Sequence, residues 1–129
     1  MIELYFTKSC KSSQHARRWL INHKLEFKEI NIRTSGIKRD VLLKMLLMSE
    51  KGIADLVSLR KQSVKDKRID FDSISLNDLL VYLEKFPEII KHPLILSETH
   101  FQSGYHEENI RVFLPHAYRQ IAREEKEKE

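Results

Sequence analysis

The first 32 residues limit the fold most strongly, because their hydrophobic period changes twice. Between Ile2 and Phe6 apolar residues alternate with polar ones or tyrosine, which is the period of a strand. From Lys11 to about Lys24 apolar side chains recur at helical spacing, and residues 26–32 are strand-like again. A strand, a helix and a strand in so short a segment predict a right-handed βαβ unit with parallel strands.

Helices dominate the middle of the chain. A strongly apolar helix is predicted over 38–48, and Gly52 is a candidate for a left-handed conformation after that helix ends. Residues 53–61 predict a further short helix. Ser75, with Asp78 three residues later, indicates a capped helix start. Four leucines would form one face of this helix: Leu76, Leu79, Leu80 and Leu83.

The last part of the predicted domain combines a hairpin and a helix. Residues 93–104 predict two short strands around a turn at Glu98–His100, and a last helix ends before Pro115. The order βαβ, several helices and ββα predicts an α/β protein with a thioredoxin-like frame and a mixed four-stranded sheet. We expect a single domain over 1–115 with a helical insertion at about 36–88, and a polar helix or disordered tail over 116–129.

Composition limits the functional classes. The chain has one cysteine, which rules out an internal disulfide and points to the cytosol. The net charge of +4 favours acidic partners only weakly, and the basic stretch 58–68 has no aromatic residues to stack on bases. No apolar run approaches the roughly 20 residues of a membrane span. We therefore expect a cytoplasmic protein with no membrane partner.

Cys10 falls in the first strand-to-helix loop of the predicted βαβ unit. Unpaired N–H groups and the helix dipole stabilise an anion there, so the thiol is a candidate nucleophile or oxidant target. Ser13 can offer a donor to the sulfur, but it is not a second thiol, and a dithiol–disulfide cycle within the chain is excluded. Cys10 could still form a sulfenic acid or a mixed disulfide, attack an external substrate, or have a purely structural role.

The histidines do not form a recognisable metal motif. His100 and His106 could meet near the hairpin, but no cysteine or carboxylate pattern of known ligand spacing accompanies them. The chain also lacks a glycine-rich phosphate loop and any Ser-His-Asp arrangement that spacing could support. We expect neither a metal nor a cofactor.

Several motifs occur together along the chain: the Cys10 loop, "EKG" at 50–52, Arg60 in "SLRK", "HPLIL" and, above all, "GYHEENIRVFLP" at 104–115. In combination they resemble the Spx family of redox-linked transcription regulators, which are related in fold to arsenate reductase. The resemblance runs from Met1 to about Pro115.

The resemblance implies a partner and a docking residue. Spx proteins bind the C-terminal domain of the RNA polymerase α subunit, alter promoter use under oxidative stress, and contact promoter DNA only as part of the polymerase complex. Gly52 matches the family glycine at the α-subunit surface, where a missing side chain lets a partner's backbone approach. A helix C-cap is a compatible role for this glycine. Proteolytic machinery is a further implied partner, although the family's targeting tail is not evident in "AREEKEKE".

The chain departs from the family pattern at two places. Many members have Cys-x-x-Cys, whereas here Ser13 stands in place of the second cysteine, which leaves Cys10 as at most a single-thiol sensor. Many also have an arginine where His92 precedes Pro93. We expect Lys91 to keep a positive charge nearby, and Pro93 to be cis and to face the cysteine loop.

The resemblance also leaves two alternatives open. A thiol enzyme like arsenate reductase would need Cys10 as nucleophile and several cations around an oxyanion; Arg60 could supply one, and His92 stands where a second would be. The second alternative is a redox-insensitive paralogue that competes for polymerase. We favour the non-enzymatic regulator, with Gly52 at the docking surface and Arg60 as electrostatic support.

Overall fold

The computed structural model describes residues 1–115. Within them lie four β-strands, five α-helices and three 3-10 helices, the last labelled η. In chain order the elements are β1 (Ile2–Phe6), α1 (Lys11–Asn22), β2 (Phe27–Asn31), α2 (Ile32–Ser35), α3 (Arg39–Met48), η1 (Gly52–Asp55), α4 (Gln62–Lys65), α5 (Leu76–Lys85), η2 (Pro87–Ile89), β3 (Leu94–Leu96), β4 (Phe101–Ser103) and η3 (Asn109–Phe113).

The strands form one mixed sheet in the order β2-β1-β3-β4. β1 pairs with β2 in parallel, as the predicted βαβ unit requires, and pairs with β3 in the antiparallel sense. β3 and β4 form the predicted hairpin, with Ile95 opposite Gln102. The thioredoxin-like α/β fold with a mixed four-stranded sheet is therefore confirmed.

The sheet separates two hydrophobic clusters because successive strand residues face opposite sides. Leu4 and Ile95 face the cluster that α1 and η3 cover, which includes Trp19, Leu20 and Phe113. Tyr5, Leu94 and Leu96 face the larger cluster, whose other members come mainly from residues 32–90. The β1–α1 loop therefore lies at one end of a sheet that is buried on both faces.

Two helix predictions were only partly correct. The helix expected over 53–61 is limited to η1, because Val57 pairs with Ile90 in an isolated antiparallel bridge and the chain is extended there. The last segment before Pro115 is the 3-10 helix η3, not an α-helix. The terminal segment 116–129 lies outside the described residues, and the domain boundaries stay predictions.

Two details of the middle segment also differ from expectation. Gly52 has the expected positive φ of +61°, but it is the first residue of η1. α3 already ends at Met48, and the backbone of its C-cap residue Ser49 is extended. The side chain of Leu76 is 53% exposed, because it lies in the first turn of α5, beyond the core that Leu80 and Leu83 reach. Ser75 does cap this helix, accepting the Asp78 N–H at 3.1 Å.

No helix within residues 1–115 is long and apolar enough to cross a membrane.

Candidate functional site

Cys10 is the N-cap residue of α1. Its backbone is extended, with φ −91° and ψ 118°, and its sulfur accepts the N–H of Ser13 at 3.4 Å. The thiol in turn points to the backbone carbonyl oxygen of His92 at 3.8 Å. The sulfur therefore occupies the helix N-terminus predicted for it, and it also contacts His92, two residues before β3.

Ser13 has a structural role beside the Cys10 thiol. The residue is buried, and its hydroxyl oxygen accepts the N–H of Thr7 at 3.3 Å. Only its backbone N–H reaches the Cys10 sulfur. The hydroxyl that stands in place of a second thiol therefore fixes the end of the β1–α1 loop.

Thr7 and His92 complete a closed ring of hydrogen-bonded residues around the loop. The buried Thr7 hydroxyl lies 3.2 Å from Nδ1 of His92, whose carbonyl oxygen contacts Cys10. The His92–Pro93 peptide is cis and adjoins the cysteine loop, as expected. Sequence reasoning missed Thr7, since nothing local marks a threonine 85 residues from its partner.

The charges that act on His92 come from residues that were not predicted to belong to the site. Burial is the main cause that holds the pKa of His92 below its ordinary value of 6.5, and the charges of Lys61 and then Arg33 lower it further. Lys61 belongs to the basic stretch 58–68, and this stretch is the sequence feature that could have indicated a cation near the site. Arg60 beside it is exposed. The supporting roles of Arg60 and Lys91 stay predictions.

An open cleft of about 390 Å³ lies next to His92. Two lysines, two histidines and one carboxylate are among the residues that line it: Lys61, Lys91, His92, His106 and Glu88. Glu88 pairs with Lys67 at 3.3 Å. The residues 1–115 contain no group of three or more His, Cys, Asp or Glu side chains that could hold a metal ion.

Gly52 is displayed on a fixed turn at the surface. The Asp55 carboxylate accepts the backbone N–H groups of Glu50 and Lys51, each at 3.0 Å, which fixes the chain on either side of the glycine. A Cβ built on Gly52 would meet no heavy atom of residues 1–115 within 4 Å. At the end of α3, five residues before Gly52, Leu47 is 77% exposed. The turn thus presents backbone without a side chain at Gly52, and the helix before it carries an exposed apolar residue.

Backbone contacts connect this turn to the thiol. Leu56 closes η1, and its carbonyl oxygen accepts the N–H of Lys91 at 2.7 Å. The next residue, His92, contacts the Cys10 sulfur through its carbonyl group. The segment 90–92 therefore contacts both the N-terminus of α1, where Cys10 lies, and the end of η1, where Gly52 lies.

Comparisons with known proteins agree on one family. The model of the ArsC family matches residues 5–113. The global transcriptional regulator Spx of Streptococcus mutans is 39% identical over 119 residues, which cover 92% of this chain and 87% of the relative. The global transcriptional regulator Spx 1 of Lactococcus lactis is 38% identical, with 92% and 93% covered.

A solved structure gives the fold-level comparison. The arsenate reductase from Vibrio cholerae has a TM-score of 0.66 at 16% identity, with 86% of this chain and 92% of that chain covered. At this identity the likeness supports the fold alone. The chain belongs to the ArsC family and, within it, to the Spx family of transcription regulators.

Proposed function

We propose that this regulator binds the C-terminal domain of the RNA polymerase α subunit and alters promoter use under oxidative stress. The single observation that best supports this is the Gly52 turn: it has a positive φ, open space where a side chain would be, and a fixed conformation. A partner's backbone could approach such a turn closely; a methyl group there would hinder this approach and a long side chain would prevent it. The exposed Leu47 at the end of α3 would add apolar contact.

Promoter DNA belongs to this proposal only as part of the polymerase complex. The chain carries a net charge of +4, which favours an acidic partner such as DNA only weakly. The cations of the stretch 58–68 would act once polymerase holds the protein beside the promoter. Proteolytic machinery is a further proposed partner.

Cys10 would act as a single-thiol sensor. An oxidant such as hydrogen peroxide would convert its thiolate to a sulfenic acid, and a small disulfide would give a mixed disulfide and release one thiol. Either product enlarges the group that now fits between the Ser13 N–H and the His92 carbonyl. The displaced segment 90–92 is bonded to the end of η1, so the change would reach the Gly52 turn.

The test is a titration of the isolated α C-terminal domain into the reduced protein, followed by calorimetry. We expect saturable binding with one domain per chain. The same titration after treatment with peroxide or a small disulfide tests the sensor, with Cys10→Ser as the matched control. Absence of binding in both redox states would contradict the proposal.

A thiol enzyme of the arsenate reductase type is the second candidate, favoured by the arsenate reductase fold and by cations near His92. Such a reaction needs several fixed cations around the oxyanion, and the charges acting on His92 come from Lys61 and Arg33. Arsenate turnover with glutathione and glutaredoxin above that of Cys10→Ser would establish the enzyme.

A redox-insensitive competitor for polymerase would bind the α domain equally before and after oxidation.

A further inference from the structure

The cleft beside His92 carries more positive than negative charge. Lys61 and Lys91 contribute two cations to its lining, and Glu88 is the one carboxylate that lines it in the described part of the chain. Glu88 is already paired with Lys67, whose Nζ lies 3.3 Å from its Oε1. Neither lining lysine has a carboxylate partner among the described residues. The cleft therefore offers two uncompensated cations to a ligand.

The imidazole of His92 reports the sign of the electrostatic potential at the cleft. Burial lowers the pKa of His92 most, and the charges of Lys61 and then Arg33 lower it further. A cation has this effect only where its field reaches the ring. Because His92 itself lines the cleft, an anion that enters the cleft meets the field of both cations.

Both sides of the cleft adjoin the first half of α1, where Cys10 lies. On one side, the carbonyl oxygen of His92 is 3.8 Å from the Cys10 sulfur. On the other side, Tyr105 packs edge-on against His15 of α1, with ring centroids 5.7 Å apart, and both sequence neighbours of Tyr105 line the cleft. A group bonded to the sulfur therefore starts beside a residue that lines the cleft.

The size of the cleft and the exposure of the thiol indicate a small reagent. A volume of about 390 Å³ is within the range of small-molecule sites, and the cleft is open to solvent. Cys10 is half-buried, so a small molecule can reach its sulfur. A ligand that bridges the two places therefore needs a group that reacts with a thiol and, a few atoms away, an anionic group.

We infer that this cleft receives the carboxylate of small disulfides that react with Cys10, so that disulfides carrying carboxylates are the preferred oxidants of this thiol. The inference rests on the proposed role of Cys10 as a sensor and names the class of molecule that it senses. A carboxylate pairs with the ammonium groups of Lys61 and Lys91 and holds the disulfide near the sulfur. A neutral disulfide lacks this contact, and a cationic one is repelled.

The reaction balances without a further reagent. The Cys10 thiol loses its proton to solvent, and the thiolate attacks one sulfur of the disulfide. A bond from Cys10 to that sulfur forms, the sulfur–sulfur bond of the reagent breaks, and the second sulfur leaves as a thiolate with the bonding electrons. Cys10 is thereby oxidised and the reagent is reduced. The carboxylate of the attached half stays in the cleft.

The inference divides the basic stretch 58–68 between two roles. Lys61 lines the cleft, whereas Arg60, Lys65 and Arg68 are not part of its lining. These three cations stay available to promoter DNA in the polymerase complex.

The reaction rates of the reduced full chain with three disulfides test this inference. The reagents are the anionic dithiodipropionate, the neutral dithiodiethanol and the cationic cystamine. Because Cys10 is the only cysteine of the chain, mass spectrometry of the intact protein measures its modification directly. The same chain unfolded in urea gives the reference rate of each reagent, with the same sequence neighbours and net charge. After this correction, dithiodipropionate should react about tenfold faster than dithiodiethanol, and cystamine more slowly than both.

Lysine variants connect this preference to the cleft. Lys61→Gln and Lys91→Gln should each reduce the preference for the anionic reagent about threefold, because each removes one nearby charge. Lys28→Gln is the matched control: it removes the same charge from β2, which does not line the cleft, and it should keep the wild-type preference. Rising ionic strength should weaken the preference of the wild type. Circular dichroism of the variants verifies the fold.

Failure of this inference and failure of the proposed function give different results. Three reagents that react alike after the urea correction would overturn the inference, and so would a preference that Lys61→Gln and Lys91→Gln reduce no more than Lys28→Gln does. The proposed function is decided separately, by α-domain binding of the protein modified by each reagent. A preference for the anionic reagent without any change in α-domain binding would support the cleft and refute the sensor.

Discussion

The sulfur of Cys10 lies 3.8 Å from the backbone carbonyl oxygen of His92, a residue 82 positions away in the sequence. This contact connects the N-terminus of α1 to the segment before β3. The same segment donates the Lys91 N–H to Leu56 at the end of η1. The sulfur is therefore connected, through the segment 90–92, to the element where Gly52 lies.

The capping role of Cys10 can be separated from its thiol chemistry. Cys10→Ser keeps an acceptor for the Ser13 N–H, whereas Cys10→Ala removes it. We expect the alanine variant to be less stable than the serine variant by about 1 kcal/mol, a typical N-cap contribution, in urea unfolding. Under reducing conditions both variants should bind the α domain like wild type, and neither should respond to oxidant.

The opposite results would each have a clear meaning. Loss of binding by reduced Cys10→Ala would show that the thiol is part of the interface or required for the fold. A Cys10→Ser protein that still responds to peroxide or to a small disulfide would place the sensor elsewhere.

His92 should make stability depend on pH. Its pKa in the folded protein is lowered by burial, Lys61 and Arg33, so the unfolded chain takes up a proton first as the pH falls. The stability is fully present above about pH 6.5, decreases below it, and levels off once the pH is below the lowered pKa of His92. Urea unfolding across this range, compared with His92→Gln, measures the contribution of this residue.

The cause of the lowered pKa is testable by NMR titration of the imidazole. Lys61→Gln removes one of the two cations that act on it, so the pKa of His92 should rise towards 6.5. Lys91→Gln is the matched control, because Lys91 is adjacent in sequence but is not among the causes of the shift. A pKa that is unchanged in Lys61→Gln would refute this description of the site.

Asp55 should control how the Gly52 turn is presented. Its carboxylate accepts two backbone N–H groups, those of Glu50 and Lys51, and Asp55→Ala leaves both without this acceptor. We expect roughly tenfold weaker binding of the α domain, with the core intact, because the turn must be ordered on binding. Asp66→Ala removes an exposed carboxylate that bonds only to the Gln62 side chain in the described residues, and it should bind normally.

The predictions that succeeded depend on local signals. The period of the residues before and after α1 identified the βαβ unit, and Ser75 marked the start of α5 through its own hydrogen bond to the Asp78 N–H. The position of Cys10 at a helix N-cap followed from the topology alone. Each of these features is encoded within a few residues of the chain.

The features that were missed depend on residues far apart in sequence. Val57 is extended because it pairs with Ile90, which no local pattern around residues 53–61 reveals. Thr7 and Lys61 join the site only because the fold brings them to His92. The buried amide of Gln102, which has no hydrogen-bond partner within residues 1–115, likewise becomes visible only when the packing around β4 is known.

Binding of the α C-terminal domain by Gly52 variants tests the central claim most directly. Gly52→Ala and Gly52→Arg share the strain of a side chain at φ +61°, about 1–2 kcal/mol, and neither Cβ clashes within the described part of the chain. Only arginine adds bulk and charge at the surface. Calorimetry should therefore show wild-type binding, weaker binding by Gly52→Ala and none by a folded Gly52→Arg. Unimpaired binding by Gly52→Arg would contradict the account.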